Sequence, residues 1–258
     1  RSMASAITSL ARAGNLGADF RFVLVSSLAA TGPCGTAPGV DDATPPAPVS
    51  AYGWSKMLTE QVLGRALGQS LVTLRPPIIY GSGDKGLLPV FQGVMRAHVA
   101  VSPGAGREFP VSAVHADDMA QAVLCACKPE ASGVYHLSDG EAYTMSGFCR
   151  VMGAAVDKAL GRAPRNVCVV RMPLPVMACT AGLSTAFAVA ADAVSRRLLG
   201  RGLRRAPAWN LDKYREARQA GWLCDNSRIC CELGFAPRVS LEAGMTEAID
   251  GYRREGWL

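Results

Sequence analysis

The stretch SAYGWSKMLTEQVLGRALGQSLVTL, residues 50–74, predicts a helix followed by a buried strand. Ser50 is suited to cap the helix, which we expect to run to Leu67, and the strand is LVTL at 71–74. Upstream, the apolar run RFVLV at residues 21–25 predicts another strand, of the kind that a sheet covered on both faces requires. Because the helix is long enough to cross back between them, the two strands are expected to pair in parallel. The sequence therefore predicts the α/β fold class.

The rest of the chain contains further helical and strand patterns. We expect a third strand at residues 134–137 and helices at residues 2–13, 87–97, 117–127 and 145–160. Beyond Arg162 the pattern no longer alternates between strand and helix. We therefore predict a catalytic domain that contains the sheet, residues 1–130, and a smaller, mainly helical substrate lobe, residues 131–258.

The charge distribution argues against nucleic acid as a partner. The chain has 258 residues and a formal net charge of +6, with its basic residues scattered except at residues 196–205. There, arginines alternate with glycine and leucine, and no aromatic side chain offers a stacking surface for bases. We interpret this cluster as a solvated loop, with contact to phosphate or to a membrane as the alternative.

The nine cysteines predict neither a disulfide framework nor a metal site. No two of them form a CxxC pair, and the pairs at 125/127 and 230/231 are too close for ordinary disulfide or metal geometry. We expect buried, reduced thiols, no bound metal and a reducing compartment, the cytoplasm. The first residues also lack the apolar core and the cleavage site of a signal peptide.

Residues 174–191 form an uncharged run that just reaches the length of a membrane span. Pro175, the Ser and Thr positions within the run and Asp192 directly after it weaken that interpretation. We therefore expect a buried or substrate-lining helix, and membrane association is the less favoured alternative.

Tyr52 and Lys56 are four residues apart, so on a helix they lie on one face about one turn apart. A phenol is a weak acid at neutral pH, but a neighbouring ammonium favours its ionised form and so eases proton exchange. The strand before this helix ends at Ser26 and Ser27, and the carboxyl edge of a parallel sheet is where ligands bind. The Ser27 hydroxyl could donate to the substrate oxygen on which Tyr52 acts. A cap or a plain strand end is the alternative for the two serines.

Five blocks of the chain resemble, in order and spacing, those of the extended short-chain dehydrogenase/reductases, the NAD-dependent epimerase/dehydratase group. The blocks are RFVLVSSLAATGP (21–33), YGWSK (52–56), LRPPIIYG (74–81), VHADDMAQAV (114–123) and GVYHLSDG (133–140). The resemblance implies a Rossmann-like parallel sheet and NAD or NADP as cofactor.

The resemblance also assigns roles to individual residues. It implies that the catalytic residues are Ser27, Tyr52 and Lys56, and that Tyr52 and Lys56 also contact the cofactor. The run after the second strand lies against the nicotinamide in this family, which implies cofactor contacts for Pro76, Pro77 and Ile78. In the same family His115 and Asp118 are structural, with the aspartate capping a helix and the histidine packed at the lobe boundary.

The sequence departs from the family in two respects. It contains no Gly-x-x-Gly-x-x-Gly loop to hold the cofactor pyrophosphate at a helix N-terminus, so we interpret the Rossmann-like domain as N-terminally truncated. Sugar-nucleotide members carry an arginine that pairs with a phosphate at the position of Val111, and Arg107 lies off register. This departure favours an apolar, steroid- or flavonoid-like substrate.

The leading prediction is an NAD(P)-dependent oxidoreductase or epimerase that acts on a hydroxyl or keto group of a small molecule. Two alternatives stay open. One is a nucleotide-sugar epimerase or dehydratase, and the other is a truncated or cofactor-poor relative that acts as a non-catalytic binding protein. A homodimer is also left open.

Overall fold

The computed structural model describes residues 2–14, 17, 19–104, 107–201, 207 and 209–258. The strands are β1 (Phe22–Val25), β2 (Leu71–Arg75), β3 (Ile78–Tyr80), β4 (Val99–Pro103), β5 (Pro110–Val111), β6 (Ala113–His115), β7 (Gly133–His136), β8 (Tyr143–Thr144) and β9 (Cys168–Met172). The helices are α1 (Ser2–Arg12), α2 (Ala51–Leu67), α3 (Leu88–Ala97), α4 (Ala116–Ala126), α5 (Met145–Ala159), α6 (Leu174–Leu199), α7 (Leu211–Ala217), α8 (Ser227–Leu233) and α9 (Leu241–Arg254).

A three-stranded parallel sheet in the order β1-β2-β7 forms the centre of the fold. Every residue of β2 is buried, because helices cover the sheet on both faces. Leu71 packs with Leu63 of α2 on one face. Val72 and Leu74 pack with residues of α4 and α8 on the other. The predicted parallel α/β unit is confirmed.

Helix α2 begins where the sequence predicts. Ser50 is its N-cap, and the Ser50 Oγ accepts a hydrogen bond of 3.0 Å from the backbone N–H of Gly53. Gly53 is needed here, because a Cβ at this position would overlap the backbone carbonyl of Ala29. This close approach holds the first turn of α2 against the segment that follows β1.

A second core lies between α3, α5 and α9, where Phe91, Met152 and Tyr252 are fully buried. Strand β9 lies beside this core and pairs in parallel with β4, with Val99 opposite Cys168. The sequence analysis did not predict this strand beyond Arg162. Residues 167–170 (VCVV) form a short apolar run that is typical of a strand, and the sequence analysis assigned none to it.

The sheet also continues beyond the predicted domain boundary at residue 130. Strand β7 lies past that boundary and pairs with β2, with Val72 opposite Gly133. The division into two domains stays a prediction, but the parallel sheet draws strands from both of its parts.

All nine cysteines are free thiols. The expectation that they are buried is wrong for Cys127, Cys168, Cys179 and Cys231, which are exposed. These four lie on the outer sides of helices, on the edge strand β9 or at a helix end, where the side chains face solvent.

Helix α6 is long and apolar enough to cross a membrane, and 11% of its most apolar window is buried in the described part of the chain. The expectation of a buried helix is therefore wrong. Its exposed apolar side chains are considered further below.

Candidate active site

A cleft of about 300 Å³ lies beyond the carboxyl end of β1. Its lining residues come from the segment after β1, the start of α2, the segment after β2, α7 and the loop after it: Ser27, Leu28, Ala29, Tyr52, Pro77, Ile78, Lys213, Glu216 and Trp222. Four residues predicted from the sequence thus line one cleft, namely Ser27, Tyr52, Pro77 and Ile78. Pro76 does not line it, because this residue is buried and its carbonyl accepts a hydrogen bond of 2.8 Å from the backbone N–H of Leu28.

The two serines after β1 have different surroundings. Ser26 is buried, and its hydroxyl donates to the Glu60 carboxylate. The Ser27 Oγ lies at the cleft and accepts a hydrogen bond of 3.2 Å from the backbone N–H of Ala29, so it caps the short 3₁₀ turn Leu28–Ala30. Capping uses Ser27 only as an acceptor, and its own proton stays available to a ligand oxygen. Ser27 can therefore cap the 3₁₀ turn and donate to a substrate oxygen at the same time.

Tyr52 lies in the first turn of α2 and is 42% exposed. Two ammonium groups flank its ring: the Nζ of Lys56 lies 5.8 Å and the Nζ of Lys213 lies 5.4 Å from the ring centroid. Lys56 also donates a hydrogen bond of 3.2 Å to the carbonyl of Val25, which ties α2 to the end of β1. The ring of Tyr52 thus lies within cation–π distance of two ammonium groups.

Side chains of helix α7 form hydrogen bonds with the N-terminus of α2. The Asp212 carboxylate accepts hydrogen bonds from the backbone N–H groups of Ala51 and Tyr52, at 2.6 and 3.2 Å. Ser50 donates to Glu216 at 2.7 Å, and Glu216 in turn pairs with Lys213 at 2.9 Å. The sequence analysis missed all three α7 residues. They lie about 160 positions from Tyr52, and no local spacing could connect them to it.

A buried polar network lies behind the cleft. Arg75 at the end of β2 pairs with Glu60 of α2 and donates to the Thr31 hydroxyl at 3.0 Å. Thr31 contacts the Nε2 of His136 at 2.6 Å, and the Nδ1 of His136 lies 2.6 Å from a carboxylate oxygen of Asp42. This network joins β2, β7 and α2 under the segment that carries the cleft serine.

His115 and Asp118 lie outside the cleft lining, as the structural interpretation expects. Their individual roles differ from those expected. The N-cap of α4 is His115, whose Nδ1 accepts a hydrogen bond of 3.3 Å from the backbone N–H of Asp117. Asp118 instead accepts from the backbone N–H groups of Arg238 and Val239, both at 3.0 Å, and so fixes the segment before α9.

One group of potential metal ligands occurs in the described part of the chain. His115, Asp117 and Glu247 place ligand atoms within 4.8 Å of one another. The Nδ1 of His115 is already engaged by the helix cap. The absence of a metal site stays a prediction.

The sequence model of the NAD dependent epimerase/dehydratase family matches residues 2–138, which contain β1, α2, β2 and the residues predicted to be catalytic. The chain belongs to this family. The match ends just after β7, so it covers all three strands of the central sheet.

Two curated bacterial proteins are similar to this chain over most of its length. It is 32% identical to a ceramide reductase of Caulobacter vibrioides over 244 residues, which are 93% of this chain and 65% of that protein. It is 25% identical to the uncharacterized protein y4nL of Sinorhizobium fredii, covering 81% of this chain and 56% of that protein. The chain thus spans less than two thirds of the length of these relatives.

Solved structures share the fold of the family. The Bordetella bronchiseptica enzyme WbmG, in complex with NAD and UDP, superposes with a TM-score of 0.65 at 16% identity, covering 98% of this chain and 66% of that one. The Thermus thermophilus UDP-glucose 4-epimerase, in complex with NAD, gives 0.59 at 19% identity and covers 91% and 64%. These likenesses show the Rossmann-like fold.

Proposed function

We propose that this chain forms the proton-transfer part of an NAD(P)-dependent reductase or epimerase that acts on a keto or hydroxyl group of an apolar, lipid-like substrate. The observation that supports the proposal most directly is the shared cleft. Ser27 and Tyr52 line it together with Pro77 and Ile78, so polar groups for a substrate oxygen lie beside an apolar wall.

Three residues divide the work on the substrate oxygen. Ser27 donates a hydrogen bond to that oxygen and polarises the carbonyl. Tyr52 delivers its proton to the oxygen in the direction of reduction, and takes it back in the direction of oxidation. Lys56 stabilises the phenolate left behind, since its ammonium lies beside the ring.

The cofactor end of the cleft fits a nicotinamide nucleotide in part. Pro77 and Ile78 offer an apolar wall for the ring. Lys56 is not one of the residues that line the cleft, but its ammonium keeps donors for a ribose beyond its bond to Val25. When bound, the cofactor supplies or accepts the hydride at the substrate carbon. The glycine-rich turn that would hold its pyrophosphate is not present in these 258 residues.

The cations near the cleft argue for an apolar substrate rather than a sugar nucleotide. Lys213 is paired with Glu216, and the guanidinium of Arg107 donates to the backbone carbonyls of Arg218 and Gln219. Val111, at the position of the phosphate-binding arginine in sugar-nucleotide members, is buried. The 32% identical relative is a ceramide reductase, which supports a lipid ketone as substrate.

The test is a substrate comparison on the complete gene product that contains this chain. It is incubated with NADH or NADPH and either a long-chain keto lipid of the ceramide type or a steroid ketone, and separately with NAD or NADP and UDP-glucose. We expect oxidation of the reduced cofactor with an apolar ketone, and no conversion of UDP-glucose when the sugar nucleotide is analysed by chromatography. Turnover of UDP-glucose alone would show that the substrate class is wrong.

A further inference from the structure

The outward face of α6 is apolar along most of its length. Leu183 and Phe187 are 72% and 78% exposed, and Val176 and Val194 on the same face are about half exposed. Their spacing of seven, four and seven residues places them in one stripe of the helix. A helix on the surface of a protein in water normally turns such a stripe inward.

Three hydroxyl side chains of α6, those of Thr180, Ser184 and Thr185, contact residues 209–211. Ser184 donates a hydrogen bond of 2.7 Å to the carbonyl of Trp209, whose indole donates to the Thr180 hydroxyl at 3.1 Å. The backbone N–H of Leu211 donates to the Thr185 hydroxyl at 3.1 Å. The hydroxyls of α6 are thus used to hold residues 209–211, and its apolar stripe is left facing outward.

Basic residues lie at the carboxyl end of the same helix. Arg196, Arg197 and Arg201 are exposed there. The sequence adds Arg204 and Arg205, which lie outside the described residues. The nearby acidic residue, Asp192, pairs with Arg196 at 2.8 Å. An apolar stripe that ends in a basic cluster matches a lipid surface that carries negative headgroups.

We infer that α6 binds the surface of an anionic lipid bilayer, with its Val176–Leu183–Phe187–Val194 stripe among the acyl chains and its arginines at the headgroups. The 26 residues of α6 give a length of about 39 Å, enough to cross a hydrocarbon core of about 30 Å. A membrane-spanning orientation of α6 is excluded because residues 209–211 are hydrogen-bonded to the middle of the helix. Residues 209–211 lie there, and a spanning α6 would bring the charged side chains of α7 into the hydrocarbon.

This orientation places the membrane beside the cleft. Helix α7 packs on α6 and contributes Lys213 and Glu216 to the cleft lining. The bilayer surface would therefore lie one helix away from the site. The inference goes beyond the proposed function and does not depend on it, because its test measures neither turnover nor cofactor binding.

The first measurement is flotation of the 258-residue chain with vesicles of phosphatidylcholine, with and without phosphatidylglycerol. Aggregated protein sinks in the gradient and is not counted as bound. We expect binding to the anionic vesicles, and the double variant L183Q/F187Q should lower the bound fraction at least about tenfold. R196Q/R197Q should weaken binding to anionic vesicles and leave binding to neutral ones unchanged.

The matched control is Leu124→Gln on α4. Leu124 is 71% exposed and lies outside α6, so its substitution should not change the fraction bound to vesicles.

The second measurement uses the native thiols. Cys179 is exposed on the apolar side of α6, and Cys231 is exposed at the end of α8. Anionic vesicles should slow the alkylation of Cys179 by a water-soluble maleimide at least severalfold and leave Cys231 unaffected. The inference is overturned if L183Q/F187Q floats like the unmodified chain. It is also overturned if the chain binds no vesicles. A third contradicting result is a dimer that protects Cys179 in the absence of lipid and dissociates in the double variant, because the stripe would then bind a second copy of the chain.

Discussion

Adjacent residues after β1 have separate tasks, because side chains alternate in direction along an extended segment. Ser26 points into the buried network and bonds to Glu60, whereas Ser27 points to the cleft. The family resemblance assigned Ser27 to the site, whereas the strand pattern alone could not say which of the two serines faces it. That distinction depends on where α2 packs.

Substitution of each serine by alanine separates catalysis from stability. Ser27→Ala removes the donor to the substrate oxygen, so we expect kcat to fall about 10²–10³-fold with little change in the melting temperature. Ser26→Ala removes one of the two donors to Glu60 Oε1, the other being Arg75 Nε, and the loss of this hydrogen bond to a charged group should cost about 1–3 kcal/mol of stability while the remaining folded enzyme turns over normally. Steady-state kinetics and thermal unfolding of both variants measure this. Equal effects of the two substitutions would contradict the assignment.

The carboxylate of Asp157 makes the stability of the fold depend on pH. It accepts hydrogen bonds from the backbone and side chain of Arg165 and contacts His98, and the bond with His98 is the main reason that its pKa is lowered to about 2. Because the folded-state pKa lies below the ordinary value, the ionised form stabilises the fold above about pH 4, and this stability is lost as the pH falls toward 2.

The pH dependence of Asp157→Asn tests this coupling. Urea unfolding from pH 6 to pH 2 should show a variant that is less stable than the unmodified chain at pH 6, with the difference shrinking below pH 4. A difference that does not change with pH would show that the ionised carboxylate is not the stabilising group.

At the level of elements, α7 acts as an external cap for α2. Its Asp212 binds the backbone N–H groups of Ala51 and Tyr52, which the helix itself cannot satisfy. The helix that carries the acid-base tyrosine is therefore positioned by a residue from the far part of the chain.

Removal of this cap should affect both stability and substrate binding. Asp212→Ala should cost about 1 kcal/mol of unfolding free energy and raise KM, because Tyr52 is less well fixed. Asp250→Ala on the exposed side of α9 is the matched control and should change neither quantity. Denaturant titration measures the unfolding free energy and steady-state kinetics measure KM. An Asp212→Ala variant that behaves like the control would contradict the role of Asp212 as a cap of α2.

The elements differ in how far the sequence determined them. Strands β1 and β2 are continuous apolar runs and α2 has a clear cap at Ser50, so local pattern was sufficient to predict them. Strand β9 follows a short apolar run at residues 167–170 that was not assigned to a strand, and its pairing with distant β4 could not be predicted from local pattern. No local pattern connects the α7 residues to the cleft either. The resemblance assigned a helix cap to Asp118 without naming the helix, whereas the N-cap of α4 is His115.

For the whole molecule, the main question is whether the protein that carries the proton-transfer residues also binds a nicotinamide cofactor. The chain spans 65% of the length of its 32% identical relative and contains the cleft that we assign to proton transfer. The alternative of a non-catalytic binding protein differs from our proposal in whether a nicotinamide nucleotide binds at this cleft.

Titration with NAD(H) and NADP(H) distinguishes the two. We expect the complete gene product that contains this chain to bind one of them with a micromolar Kd. Lys56→Met should weaken that binding about tenfold or more, because a charged hydrogen-bond donor is lost. Lys158→Met on the exposed side of α5 is the control. No binding would favour the non-catalytic alternative, whereas binding that is unchanged in Lys56→Met would contradict the cofactor contact of Lys56.

The central claim is that Tyr52 exchanges the proton with the substrate, and replacement by phenylalanine tests it most directly. The same gene product is assayed with an apolar ketone and reduced cofactor, as Tyr52→Phe and as Tyr214→Phe, which removes a hydroxyl from α7 outside the cleft lining. Our account predicts that Tyr52→Phe lowers kcat at least about 10²-fold while still binding cofactor, and that Tyr214→Phe is fully active. Turnover by Tyr52→Phe at the rate of the unmodified enzyme would contradict it.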